Sequence, residues 1–97
     1  MTTPAEAPRT KPRILVVEDE THLAEGIRFN LEQEGYEVLV VGDGRTAVDQ
    51  LTDSARGAFD LVILDLMLPE MNGYEVARRT RAAGNFVAIL ILTAKDD

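Results

Sequence analysis

Four short runs of unbroken apolar residues constrain this chain more than any other feature: Ile14-Leu15-Val16-Val17, Val38-Leu39-Val40-Val41, Leu61-Val62-Ile63-Leu64 and Val87-Ala88-Ile89-Leu90-Ile91-Leu92. None alternates apolar with polar residues, so none reads as a strand with one wet face. Continuous β-branched and leucine runs predict strands covered on both faces, as a parallel sheet with helices on each side requires.

The stretches between them carry helical periodicity. In the first, Leu23, Ala24, Ile27 and Leu31 are predicted to form one apolar face, with Glu25, Arg28 and Glu32 toward water and Gly35 as a stop. The second places Ala47, Val48 and Leu51 on one face, with Asp43 as N-cap and Gly57 beyond its end. The third opens at Asn72, closes near Gly84-Asn85, and is predicted to bury Tyr74, Val76 and Ala77. Its later turns show Arg78, Arg79 and Arg81, where cations complement the helix dipole. The resulting order, β-α-β-α-β-α-β, predicts an α/β fold: a doubly wound parallel sheet with right-handed crossovers and helices on both faces.

The opening segment, residues 1–12, spaces Pro4, Pro8 and Pro12 among small and polar residues and reads as a flexible tail. Residues 13–97 then form one domain, the default for a chain of 97 residues. Only Ala94-Lys95-Asp96-Asp97 lies beyond the fourth run and Thr93, whereas a doubly wound sheet normally continues. A formal net charge of −7 argues against direct nucleic-acid binding by this segment. Without cysteine there is no disulfide framework or thiolate metal site. No apolar run reaches membrane-spanning length, and the first residues lack the apolar core of a signal peptide. A cytoplasmic domain with no membrane partner is expected.

Three carboxylates fall at strand ends: Glu18 and Asp19 directly after the first run, and Asp65 closing the third. Taken singly, an Asp after a strand is usually a helix cap or turn residue. In wound sheets, however, sites form outside the carboxyl ends of the strands where the winding reverses. If the first and third strands are neighbours, their ends lie about 4.8 Å apart and Asp19 and Asp65 converge. Like charges roughly 4 Å apart near a surface repel by about 4 kcal/mol, which a cation relieves. An all-oxygen ligand set suits Mg²⁺ or Mn²⁺. Thr93, at the end of the fourth run, offers a hydroxyl one strand further along.

The runs ILVVEDE, DLVILDLMLPEMNGYEV and ILILTAKDD resemble the receiver domains of bacterial two-component response regulators, most of all those joined to winged-helix DNA-binding domains. The resemblance covers Arg13 to Asp97. It implies a flavodoxin-like strand order 2-1-3-4, and by the family's pattern the fifth strand and last two helices are missing. It also implies that Asp65 is the phosphoacceptor and Thr93 the switch hydroxyl. Asp19 and Asp65 are implied as metal ligands, with the backbone carbonyl of Met67 completing the shell and Glu18 acting from the outer shell through water. Glu18 stands where Asp is commoner, and Asn72 where Asp is frequent. Pro69 and Gly73 shape a rigid turn into the third helix.

The same resemblance implies a sensor histidine kinase as partner and phosphodonor, or a small donor such as acetyl phosphate. Asp65 attacks in line and becomes an aspartyl phosphate, Thr93 is drawn in, and an output surface shifts. Such a domain is a signalling module rather than an enzyme, beyond self-catalysed phosphorylation and dephosphorylation. The family's fifth-strand lysine has no counterpart here, and Lys95 is a loop charge. The expectation is therefore a truncated form, impaired in phosphorylation and output, whose fourth strand invites self-association through an exposed apolar edge. Three other readings stand beside this one. Gly42-Asp43-Gly44-Arg45-Thr46-Ala47 matches a dinucleotide-binding fingerprint with Asp65 downstream, but it falls on the second βα unit and leaves Glu18, Asp19 and Thr93 without roles. An aspartate-nucleophile phosphohydrolase needs an acid where Met67 stands. A purely structural interaction module accepts no phosphate.

Overall fold

The computed structural model describes residues 11–92. They form β1 (Arg13–Val17), α1 (Thr21–Gln33), β2 (Glu37–Val41), α2 (Gly44–Thr52), a 3₁₀ turn (Ser54–Arg56), β3 (Leu61–Asp65), α3 (Gly73–Ala82) and β4 (Ala88–Leu92). All three neighbouring strand pairs are parallel, in the order β2-β1-β3-β4. The wound sheet and its strand order match the sequence expectation. Thr93 and Lys95 lie outside the described residues, as do residues 1–10 of the expected tail.

Two layers of side chains hold the sheet. On one face Leu15, Val17, Val62 and Leu64 meet Ala47 and Leu51 of α2 and Val76 of α3, with Phe59 and Leu68 filling the margins. On the other, Ile14, Val16 and Ile63 meet Ile27 and Leu31 of α1. Leu15, Val16, Val17, Val62 and Leu64 are fully buried, so the central strands are covered on both faces as their sequences predict. Burying a Leu or Val side chain in this way stabilises by about 1.5–3 kcal/mol.

Helix starts follow local chemistry. The carboxylate of Asp43 accepts the Thr46 N–H at 2.7 Å and the Asn72 amide oxygen accepts the Glu75 N–H at 3.1 Å, fulfilling both predicted caps. The backbone and side-chain bonds from Thr46 hold the Asp43 carboxyl below its ordinary range. Glu20 caps α1 by accepting the Leu23 N–H at 2.6 Å.

Three expectations about faces need correction. Tyr74 is 69% exposed, not buried. At 100° per residue it sits roughly 160° around the helix from Val76, so the inward face belongs to Gly73, Val76 and Thr80. Leu23 lies on the flank of α1 and is exposed, leaving Ala24 as its buried residue. Finally, β4 is not covered on both faces. As an edge strand among the described residues it leaves Leu90 and Ile91 exposed, which fits the expected apolar edge.

At the N-terminal end of the sheet, Arg13 ties three segments together. Its guanidinium donates to the Ala58 carbonyl at 3.0 Å, pairs with Glu37 at 3.3 Å, and stacks 4.4 Å from the Phe59 ring centroid.

Candidate metal centre

The winding sets the site. α1 carries the chain outward from β1 to β2, and α2 returns it across β1 to β3, so the direction of winding reverses between β1 and β3. Crevices open at the carboxyl ends of strands at such a reversal. Val17 is level with Leu64 in the parallel register, so the next residues, Glu18 and Asp65, leave the sheet side by side.

The carboxylate oxygens of Glu18, Asp19 and Asp65 lie within 4.8 Å of one another. Sequence reasoning anticipated the convergence of Asp19 and Asp65, and the structure brings Glu18 to the same place. Their environments differ. Glu18 and Asp65 are buried, at 3% and 7% exposure, whereas Asp19 faces solvent. Glu18 accepts the Glu20 N–H at 2.9 Å, folding its longer arm over the β1–α1 turn, and its own N–H continues the sheet ladder to the Val41 carbonyl at 3.0 Å. Asp65 accepts the Met67 N–H at 3.0 Å, which orients one carboxylate oxygen and leaves the other for a ligand. Three oxygen donors, two of them in a low-dielectric setting, suit a hard divalent cation that retains water. The chemistry of the donor set therefore fits Mg²⁺.

The loop from Leu66 to Asn72 is tightly built. Met71 donates its N–H to the Pro69 carbonyl at 2.7 Å across Glu70, whose φ of 67° lies in the left-handed region. This is a γ-turn of the strained, positive-φ kind. Gly73 closes the loop by donating to the Leu66 carbonyl at 3.1 Å. A β-carbon at Gly73 would stand 2.6 Å from the Asp65 carbonyl oxygen, so only glycine permits this approach of α3 to the acidic strand end. The expected rigid turn at Pro69 and Gly73 has here its physical form.

Two features of the site escaped sequence reasoning. One is the hydrogen bond from the Glu20 N–H to Glu18, for which no residue pattern is diagnostic. The other is an open depression of about 660 Å³ beside Asp19, walled by Leu66, Met67, Pro69 and Tyr74. Counting helical angle from Val76 would have placed Tyr74 outside the core and thus near this wall.

With this geometry established, comparison with known proteins decides the family. The response regulator receiver domain matches residues 14–97. The chain belongs to the response regulator receiver family. A probable transcriptional regulatory protein of Picosynechococcus is 49% identical to this receiver over 90 residues, which cover 89% of this chain and 36% of the relative. The DNA-binding response regulator MtrA of Mycobacterium leprae is 46% identical over 87 residues, covering 90% and 37%. The receiver thus spans little more than a third of the length of these relatives. Among solved structures, the non-phosphorylated HemR receiver domain of Leptospira biflexa superposes with a TM-score of 0.77 at 39% identity, covering 90% of this chain and 68% of that one. The receiver domain of a sensor histidine kinase from Pseudomonas aeruginosa, with magnesium coordinated in its active-site cleft, gives 0.80 at 35% identity, covering 89% and 70%.

Family membership places this receiver among signalling domains rather than conventional enzymes, and it removes the dinucleotide reading of Gly42-Asp43-Gly44. Those glycines form the β2–α2 turn, and Gly44 packs against the receiver's own Met71 carbonyl. Among the described residues no helix is long and apolar enough to cross a membrane.

Proposed function

We propose that this receiver takes a phosphoryl group onto Asp65 from a sensor histidine kinase, with Mg²⁺ bound between Asp65 and Asp19. The observation that carries this reading is the gathering of three carboxylates at one strand-end crevice. Asp19, solvent-facing, and Asp65 would be the direct ligands, the Met67 carbonyl would contribute from the backbone, and Glu18, buried and with the longer arm, would act through water. The bound ion would supply charge neutralisation for the phosphoryl oxygens.

The chain's own residues do the rest. The Met67 N–H holds the Asp65 carboxylate in one orientation, so its other oxygen attacks phosphorus in line. A P–O bond to Asp65 forms while the P–N bond to the donor imidazole breaks, the bonding pair returning to nitrogen. The ring, already protonated on its other nitrogen in the phosphohistidine, leaves as neutral imidazole. Thr93 serves as the hydroxyl that then engages the phosphoryl group. The exposed position of Asp19 and the adjoining depression support access by a donor. The formal charge of −7 supports a receiver segment that makes no direct nucleic-acid contact itself. Among the described residues β4 is an edge strand with Leu90 and Ile91 exposed, which supports self-association through that strand.

Acetyl-phosphate labelling with Mg²⁺, read by intact mass, tests the assignment. It should be run on this chain and on one extended to the length of the solved receivers it matches. One phosphoryl group should add to the extended form and vanish in its Asp65→Asn variant or with EDTA. Equal labelling of the Asn variant would move the acceptor elsewhere.

A further inference from the structure

Gly44 opens α2, and its α-carbon sits against the loop that follows the acceptor strand. A β-carbon there would lie 2.8 Å from the Met71 carbonyl oxygen, 3.1 Å from Met71 Cβ and 3.0 Å from Val76 Cγ2. The nearest of these is backbone, which no rotamer change can remove. Gly42, two residues earlier in the same turn, would meet nothing within 4 Å. The glycine pair is thus asymmetric: one position is open and the other is a contact.

What Gly44 touches matters because the loop cannot absorb displacement. Met71 is the last residue of the γ-turn closed by its bond to Pro69, with Glu70 already at a φ of 67°. The loop's two ends are tied by the Gly73 to Leu66 hydrogen bond, and its start is tied to the acceptor through Met67 and Asp65. A side chain at position 44 pushes the Met71 carbonyl by roughly half an ångström to regain van der Waals separation. That movement passes along a closed, strained segment to the backbone at Met67. Sites of this kind tolerate about 0.5 Å before function suffers.

We infer that Gly44 is a positioning residue for the metal centre: by admitting the Met71 carbonyl against α2, it fixes the loop that presents Met67 to Asp65. This rests on the metal reading above. The test is a Mg²⁺ titration followed by amide chemical shifts in ¹⁵N-labelled chain, comparing the unsubstituted protein with Gly44→Ala, Gly42→Ala and Leu51→Ala. Gly44→Ala should shift the amides from Met71 back to Met67 before any ion is added, and weaken Mg²⁺ binding about tenfold, within the range for loss of groups that orient metal ligands. Gly42→Ala should leave both unchanged. Leu51→Ala, which removes buried packing from the same helix, should lower the melting temperature without changing Mg²⁺ affinity. Gly44→Ala with affinity within twofold of the parent overturns the inference. If the variant is unfolded, the titration is repeated in concentrated sucrose, which favours the compact state. Failure to fold even there also overturns it, because the contact then serves the fold as a whole. No Mg²⁺ response in the unsubstituted chain overturns the metal reading itself, and this inference with it.

Discussion

Replacing Asp65 by Asn separates the electrostatic strain of the site from its geometry. Glu18 and Asp65 are both buried, and their oxygens lie within 4.8 Å. Two unit charges at that spacing repel by about 3.5 kcal/mol at an effective dielectric near 20, and by about 1 kcal/mol if water screens them fully. Asparagine keeps the side-chain oxygen that accepts the Met67 N–H at 3.0 Å and nearly the same volume, so the change removes the charge and replaces the other oxygen by an amide donor. Without divalent ions, Asp65→Asn should therefore be more stable than its parent by about 1–3 kcal/mol. For a domain of this size that amounts to a rise in Tm of at least several degrees. Mg²⁺ at a hundredfold excess over its Kd should stabilise the parent by about 2.7 kcal/mol and the variant much less, so the two melting curves converge as the ion is added. Thermal and urea unfolding followed by far-UV circular dichroism, at neutral pH and low salt with and without Mg²⁺, read both effects. A variant no more stable than its parent in the absence of the ion would refute the argument, since the repulsion would then have to be relieved already within the folded protein.

Other consequences follow from individual contacts. Gly73→Ala forces a β-carbon against the Asp65 carbonyl at 2.6 Å and should cost about 2 kcal/mol in urea unfolding, with loss of Mg²⁺ affinity. Arg13→Ala removes a hydrogen bond to the Ala58 carbonyl and the stacking on Phe59, and should destabilise by about 2 kcal/mol. Its exposed ion pair with Glu37 contributes little of that, so Glu37→Gln should be nearly neutral by comparison. Hydrogen bonds from Arg78 and Arg79 pull the Glu75 carboxyl down to about 2, which NMR titration of its side-chain carbon should show. Because folding lowers this pKa, the associated stability is fully present above about 4.5 and is lost as pH falls toward 2. Glu75→Gln should remove that acid dependence, and a Glu75 midpoint near the ordinary glutamate value would contradict the pairing.

Local patterns served well where one residue decides its own environment. Asp43 and Asn72 cap their helices as read, because a short side-chain oxygen before a helix needs only the next turn's N–H to act. Apolarity alone served less well. Leu23 and Tyr74 are apolar enough to suggest burial, yet helical angle puts Tyr74 outside and Leu23, in the first turn of α1, is exposed although it shares a side with Ile27; Thr80 is buried with its hydroxyl bonded to the Val76 carbonyl one turn back.

The primary sequence on its own determined the alternation of strand and helix and the placing of acids at strand ends, since both follow from short-range periodicity and from which residues adjoin each run. Tertiary structure decided what needs distant segments to meet: that Glu18 and Asp65 emerge level from adjacent strands, that β3 takes β4 as its outer neighbour, and that Gly44 of one turn packs on Met71 of another. Those relations depend on strand order and register. They are fixed by how whole elements pack together, and no window of neighbouring residues contains them.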